Sequence, residues 1–317
     1  MNPTLNSLIS QHYGIQINKL TLIDSHFGTE IYLLESEAEK YIVKSLPLYF
    51  DDINHEGHIT EYLLDKGIPV AKLLKTNSGE YSVKTEKVLF HLQDFIDGET
   101  LNLNTAPDWF LSKSSDLLGK IHNVLGGYKE LKTNFGGNFF AKNTVNKAIE
   151  RYKKELDTAD KKNTLLISTL ERRLEHLNRI WEFDIDTTRL TYANSHGDYH
   201  IGQIITKNQE LTVIDWTSAC RLPVALEIMM SYVTADLRCS DGKINSDNLK
   251  RYTEIYSKHF QISKYDIEIM PYVFYFQQIL CHYDPPYDNV ADSYKPMCDL
   301  INRYTDWLYD NVEKLII

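Results

Sequence analysis

The sequence predicts an α+β chain in two lobes: a small antiparallel sheet carrying one helix, then a larger, mainly helical lobe. Three observations predict it. Short runs rich in Ile, Val, Leu and Tyr, separated by turn residues, fill the chain up to Phe95. Apolar residues at helical spacing dominate from Pro107 onward. No repeat and no Pro/Gly/Ser-rich linker separates the parts, so they read as one body. With 317 residues, 43% of them hydrophobic, the chain can bury a sizeable core.

The elements follow in order. Leu20 to Ile23, Glu30 to Glu35 and Lys40 to Leu46 read as strands, the last two joined by a turn at Ser36-Glu37-Ala38-Glu39. A helix is expected from near Asp52 to Asp65, stopped by Gly67 with Pro69 beyond. Tyr81 to Lys84 and Val88 to Phe95 complete the sheet. The lobe boundary falls at Asp97-Gly98, giving an N-terminal lobe of 1–97 and a C-terminal lobe of 98–317. In the second lobe Phe110, Leu111, Leu117, Leu118, Ile121 and Leu125 share one face of a helix that starts at Pro107 and ends at Gly126-Gly127. Thr144 to Ile180 reads as a helical pair with charged outer faces. Gln203 to Thr206 and Leu211 to Asp215 flank a Lys207-Asn208-Gln209 turn as a hairpin, and helices resume after Pro223.

Composition excludes several classes. The chain has 34 basic and 44 acidic residues, a net charge of −10, which argues against a nucleic-acid surface and favours cationic small molecules. The segment Met1 to Gln16 is polar, unlike a signal peptide, and no apolar run approaches the roughly 20 residues of a membrane span. The cysteines Cys220, Cys239, Cys281 and Cys298 make no CxxC pair and no zinc spacing, so a reduced, cytoplasmic protein is expected. Nothing in the sequence sets the oligomeric state.

The segment Ser195-His196-Gly197-Asp198-Tyr199-His200-Ile201-Gly202-Gln203, followed by Val213-Ile214-Asp215-Trp216, carries the chemistry. A carboxylate sits in a Gly-containing loop, an amide follows at Gln203, and the hairpin brings a second carboxylate back at Asp215. Two carboxylates and an amide oxygen form a hard-oxygen set suited to Mg²⁺ and substrate phosphates. Phosphoryl transfer needs such a division of labour. One carboxylate, Asp198, accepts the proton of an attacking hydroxyl; the other, Asp215, holds metal against the phosphates.

The segment resembles the catalytic loop and metal-binding aspartate of the aminoglycoside phosphotransferase and choline kinase family, whose pattern is roughly H-G-D-x-H-x-x-N, a hairpin, then I-D-[WF]. His196, Gly197, Asp198, His200, Ile214, Asp215 and Trp216 match it. The resemblance implies a protein-kinase-like fold and an ATP- (or GTP-) and Mg²⁺-dependent small-molecule kinase with a hydroxyl acceptor. Gln203 stands where the family has Asn as a second metal ligand. Gly197 in place of Arg, and only the seven residues 216–222 between Asp215 and Pro223, argue against a protein kinase. A degenerate, nucleotide- or metabolite-binding relative without transfer is the alternative.

The same resemblance gives the first lobe a nucleotide site. Gly28, in the stretch Ser25 to Thr29 between two strands, belongs to the phosphate-covering loop. Lys44 lies on a strand apolar on both faces. Glu56 follows it on the apolar stripe of the next helix, with Ile59 and Leu63, so an Lys44–Glu56 ion pair is expected. Asp94 and Phe95, in Gln93-Asp94-Phe95-Ile96-Asp97-Gly98, resemble the hinge whose backbone meets the base. His196 and His200 are expected as buried supports of the loop. For the acceptor, Glu227, Asp284 and Asp288, with Tyr272, Phe274, Tyr275, Phe276, Tyr283 and Tyr287, offer carboxylates and aromatic faces suited to an ammonium group.

Overall fold

A computed structural model of the chain describes residues 3–26, 28–50, 54–133, 142–280 and 292–315. Two compact units emerge, one of Met1–Thr100 with Gln203–Ser218, the other of Leu101–Gly202 with Ala219–Ile317.

The first unit is built on an antiparallel sheet of five strands: β1 (Lys19–His26), β2 (Thr29–Glu35), β3 (Lys40–Leu46), β4 (Ser82–Lys84) and β5 (Leu89–Asp94), in the order β1-β2-β3-β5-β4. Helix α1 (Pro3–Tyr13) precedes it and α2 (Asn54–Asp65) follows β3. The sequence reading misses α1. Its Leu5 and Ile9, one helical turn apart, join Leu34, Val43, Val83, Phe90 and Leu92 in a buried cluster. The other face of β3 and β5 carries Lys44 opposite His91 in the ladder. A short ladder, β6 (Glu99–Thr100), β8 (Ile204–Lys207) and β9 (Glu210–Val213), completes this unit. Its β8–β9 turn holds Asn208 and Gln209 at φ 52 and 64°, the left-handed pair that a two-residue hairpin requires. The hairpin also bonds to the segment after α2, through Val213 N–H to Pro69 O at 2.9 Å and Ala71 N–H to Val213 O at 3.0 Å.

In the second unit, helices α3 (Asp108–Leu125), α4 (Lys142–Thr158), α5 (Thr164–Arg179), α6 (Val224–Ala235), α7 (Ser246–Tyr256), α8 (Lys264–Leu280) and α9 (Lys295–Asn311) are joined by a two-stranded ladder, β7 (Tyr192–Ser195) with β10 (Cys220–Pro223). Helix α6 is buried almost all round and is the core helix. Against α7, α3 approaches so closely that a Cβ on Gly119 would lie 2.6 Å from the Tyr256 carbonyl oxygen. Strand β7 ends at Ser195 and delivers the chain to His196. No described helix is long and apolar enough to cross a membrane.

Candidate active site

In the sheet unit, four side chains from three elements converge. Glu56 lies in the first turn of α2, on its apolar stripe, and is fully buried. Burying a carboxylate requires partners. Glu56 Oε1 accepts the Trp216 N–H at 3.0 Å, and Oε2 lies 3.4 Å from Thr217 Oγ1. Trp216 opens a single 3₁₀ turn, Trp216–Ser218, directly after Asp215. Glu56 thus fixes the backbone immediately beyond that aspartate.

The expected Lys44–Glu56 ion pair is replaced. Lys44, 8% exposed, donates to Asp215 Oδ1 and, at 2.9 Å, to Thr217 Oγ1. Helical spacing puts a carboxylate on the right face of α2, but the Trp216 N–H and Thr217 reach it first. Asp215 has φ 62°, a left-handed conformation that an L-residue adopts only when its surroundings hold it there. Thr217 Oγ1, 2.5 Å from Asp215 Oδ1, is one of those holds. Gln203 is tied to the same turn through its C=O, which accepts the Ile214 N–H at 2.9 Å.

His91, across the ladder from Lys44, is 1% exposed, with Nε2 3.7 Å from Glu56 Oε2. Neither ring nitrogen has a hydrogen-bond partner among the described residues. Burial pushes its pKa down, and the nearby Glu56 and Asp215 only partly oppose this, so the ring is neutral.

The remaining residues expected at a nucleotide site lie at strand ends. Gly28 takes φ 79° at the β1–β2 turn, where a Cβ would also sit 3.2 Å from Pro47 Cγ. The Asp94 N–H is committed to the Lys72 carbonyl at 2.9 Å, and burial raises the Asp94 pKa. Phe95, just past β5, is 37% exposed under the Lys40 ammonium.

In the helical unit the loop after β7 is anchored from behind. Gly197 turns at φ 86° and donates its N–H to Glu227 Oε1 at 2.6 Å. The other oxygen of Glu227 meets His122 Nε2 at 2.6 Å, and His122 Nδ1 meets the Tyr256 hydroxyl at 2.5 Å. Burial alone would raise the Glu227 pKa. The His122 hydrogen bond and charge, with His196 and the Gly197 N–H, overcome it and hold the carboxyl below its usual range. Glu227 is therefore a correction: it is fully buried beneath the loop, not on a surface that an acceptor could meet.

On that loop, His196 is fully buried and its Nδ1 accepts the Asp198 N–H at 3.3 Å. The Tyr199 hydroxyl donates to Ser114 O at 3.1 Å. The Asp198 carboxylate faces outward, its side chain 43% exposed. His200 departs from the expected burial, its side chain being 27% exposed. Its Nδ1 accepts the Gly202 N–H at 3.0 Å, which leaves Nε2 as the protonated nitrogen, 3.6 Å from Asp198 Oδ2. Gly202 packs closely against that ring: a Cβ there would lie 2.7 Å from the imidazole Cε1, so the ring would have to shift.

Asp284, Asp288, Tyr283 and Tyr287 lie outside the described residues. Of the aromatics before them, Phe274, Tyr275 and Phe276 belong to the helix core instead of an exposed cage, while Tyr272 is half-buried. Phe274 and Tyr275 are 2% and 0% exposed, and Tyr272 packs edge-on against Phe183 at 5.0 Å. Sequence reading missed His122, Thr217 and His91. His122 breaks the apolar stripe of α3 and Thr217 follows the Asp-Trp pair, so each left a faint signal.

A family model described as a phosphotransferase enzyme family matches residues 19–253. No curated protein matches the chain by sequence. Among solved structures, an amicoumacin kinase in complex with AMP-PNP, Ca²⁺ and Ami superposes with a TM-score of 0.67 at 13% identity, covering 96% of this chain and 93% of that one. A spectinomycin phosphotransferase with ADP and spectinomycin gives 0.64 at 15% identity over 96% and 93%. A choline kinase from Cryptosporidium parvum gives 0.61 at 13% identity over 99% and 96%. These structures share the fold, and the family match spans most of the sequence. The chain belongs to the phosphotransferase enzyme family, on a protein-kinase-like fold.

Proposed function

We propose that the protein transfers the γ-phosphate of ATP (or GTP) to a hydroxyl of a small, amine-containing acceptor. The observation that carries this is the meeting of Lys44 with Asp215, 171 positions apart in sequence, in a turn whose strained aspartate is held by Thr217 and whose backbone is held by Glu56. Lys44 engages the nucleotide phosphates. Asp198 accepts the hydroxyl proton and orients the nucleophile. Gly28, Asp94 and Phe95 border the nucleotide.

The donor set fits Mg²⁺. Among the described residues no three His, Cys, Asp or Glu side chains form a metal centre alone. Mg²⁺ needs no such cage, because one or two carboxylates, waters and substrate phosphates complete its shell. The Asp215 carboxylate already attracts a cation, the Lys44 ammonium. Asp215 would hold the metal with Gln203 as second ligand, and the ion would neutralise charge on the phosphates.

Two features support an amine-containing acceptor: the net charge of −10, and structural neighbours named as kinases of aminopropanol and choline. The buried free thiols of Cys220, Cys239 and Cys298 suit a reducing cytoplasm. The test is nucleotide turnover against matched panels of amino-alcohols, aminoglycosides and neutral or anionic alcohols, at low and high salt. Preference for amines that weakens with salt is expected. Preference for anionic alcohols, indifferent to salt, removes the amine part. Nucleotide binding without turnover of any acceptor favours the degenerate alternative.

A further inference from the structure

Kinase chemistry calls for a lysine held in place by a helix carboxylate, yet in this chain Lys44 and Glu56 do not pair directly. A hydroxyl stands between them. Thr217 Oγ1 lies 2.9 Å from Lys44 Nζ, 2.5 Å from Asp215 Oδ1 and 3.4 Å from Glu56 Oε2. We infer that Thr217 is the positioning residue of the nucleotide site, its hydroxyl taking the place of the direct lysine–glutamate ion pair. The inference rests on the reading of Lys44 and Asp215 given above.

The chemistry of a hydroxyl makes the role specific. It has two lone pairs, one of which receives the Lys44 ammonium, and a single proton. That proton can serve Asp215 or Glu56 but not both, and at present the shorter contact is to Asp215. Were Asp215 to hold a metal ion, the hydroxyl proton would be free for Glu56, a shift of a few tenths of an ångström bringing 3.4 Å into ordinary hydrogen-bond range. Thr217 can thus keep Lys44 tied to the α2 carboxylate while Asp215 changes partner. Its setting is rigid: the neighbouring Trp216 is 1% exposed with its N–H on Glu56, and a β-branched side chain has few χ1 choices.

The experiment compares Thr217→Val, which keeps the shape and removes the hydroxyl, with Thr217→Ser, which keeps the hydroxyl. Mg·ATP affinity is measured by calorimetry, KM and kcat by turnover, and Lys44 acylation by an amine-reactive reagent with mass spectrometry. Thr217→Val is expected to weaken Mg·ATP binding about ten- to a hundredfold, the range for losing a hydrogen bond to charged groups, and to raise KM more than it lowers kcat. It should also speed Lys44 acylation without nucleotide, whereas Thr217→Ser stays near wild type in both. In double-mutant cycles Thr217 should couple to Glu56 more strongly than Lys44 does. If Thr217→Val binds Mg·ATP like wild type while Lys44→Met does not, the inference is overturned and the kinase reading stands. If wild type binds no nucleotide, that reading falls, and unchanged Lys44 acylation in Thr217→Val then removes the inference as well. Should Thr217→Val melt well below wild type, Thr217→Ala serves for the same measurements, and rescue by Thr217→Ser still decides.

Discussion

Glu227 shows how a single buried charge can hold a loop, here the one that follows β7. Both its oxygens are used, one by the Gly197 N–H and one by His122. Truncation leaves a buried imidazole and a backbone donor without their acceptor, and removing one member of such a set costs about 3–5 kcal/mol. Glu227→Ala should therefore lower the thermal midpoint by many degrees and reduce turnover along with it. Glu227→Gln keeps an acceptor for Gly197 and should lose much less stability. An Ala variant that melts like wild type would remove Glu227 from the loop's support. The residue shows the limit of reading types from sequence. An acidic side chain on a late helix looks like a contact for a cationic ligand, and only its zero exposure shows otherwise.

At the scale of elements, α2 matters because it delivers Glu56 to the Asp215 turn. The helix docks through Gly57, where a Cβ would lie 2.0 Å from Tyr81 Cγ. Tyr81 is itself held, its hydroxyl donating to Glu61 at 2.6 Å, so it cannot simply swing aside. Gly57→Ala should push α2 off the sheet, weaken Mg·ATP binding and destabilise the protein by about 1–3 kcal/mol, the usual cost of overpacking. Unchanged nucleotide affinity in this variant would show that α2 does not set the site.

Much of this geometry was legible beforehand. Strand β3 has the ends read from its run of apolar and β-branched residues, and the β8–β9 hairpin was marked by its Lys207-Asn208-Gln209 turn. The Asp198 loop and the Asp215 motif together pointed to the family. What escaped were features set by tertiary packing. Helix α1 is short and polar apart from a few residues, so its apolar side is visible only against the sheet. The choice between Glu56 and Asp215 as partner of Lys44 depends on distances that no periodicity encodes. Thr217 is an ordinary residue type whose importance comes from standing among three charges.

For the whole molecule, the pH response follows from buried tyrosine hydroxyls, the buried Glu227 carboxylate and the buried His91 ring. Burial holds the phenols of Tyr199, Tyr252 and Tyr256 above the ordinary value of 10.0, so folding favours their protonated forms. Their contribution is fully present below that pH and is lost as pH rises past it. Glu227 has the opposite sign. Its folded pKa is lowered, so its contribution is present above the ordinary carboxylate value of 4.5 and is lost as pH falls. Melting temperatures should therefore form a plateau that ends on the alkaline side past the tyrosine value and on the acid side first near the ordinary histidine value of 6.5, below which the buried His91 ring would have to charge, with Glu227 adding to the loss at lower pH. A melting temperature that keeps its plateau value to about pH 11, a unit past the ordinary tyrosine pKa, would contradict the assignment of those tyrosines to the core.

The central claim is that Asp198 is the base and Lys44 and Asp215 the nucleotide and metal residues of one phosphotransferase. It is tested most directly by Asp198→Ala, with phosphorylated acceptor followed by mass spectrometry and Mg·ATP affinity measured on the same preparation. Transfer should fall by about 10²–10⁴-fold, the usual contribution of a general base, while nucleotide affinity and melting temperature stay at their wild-type values. A variant that retains more than about one hundredth of the rate, or that loses nucleotide binding together with transfer, would contradict the account.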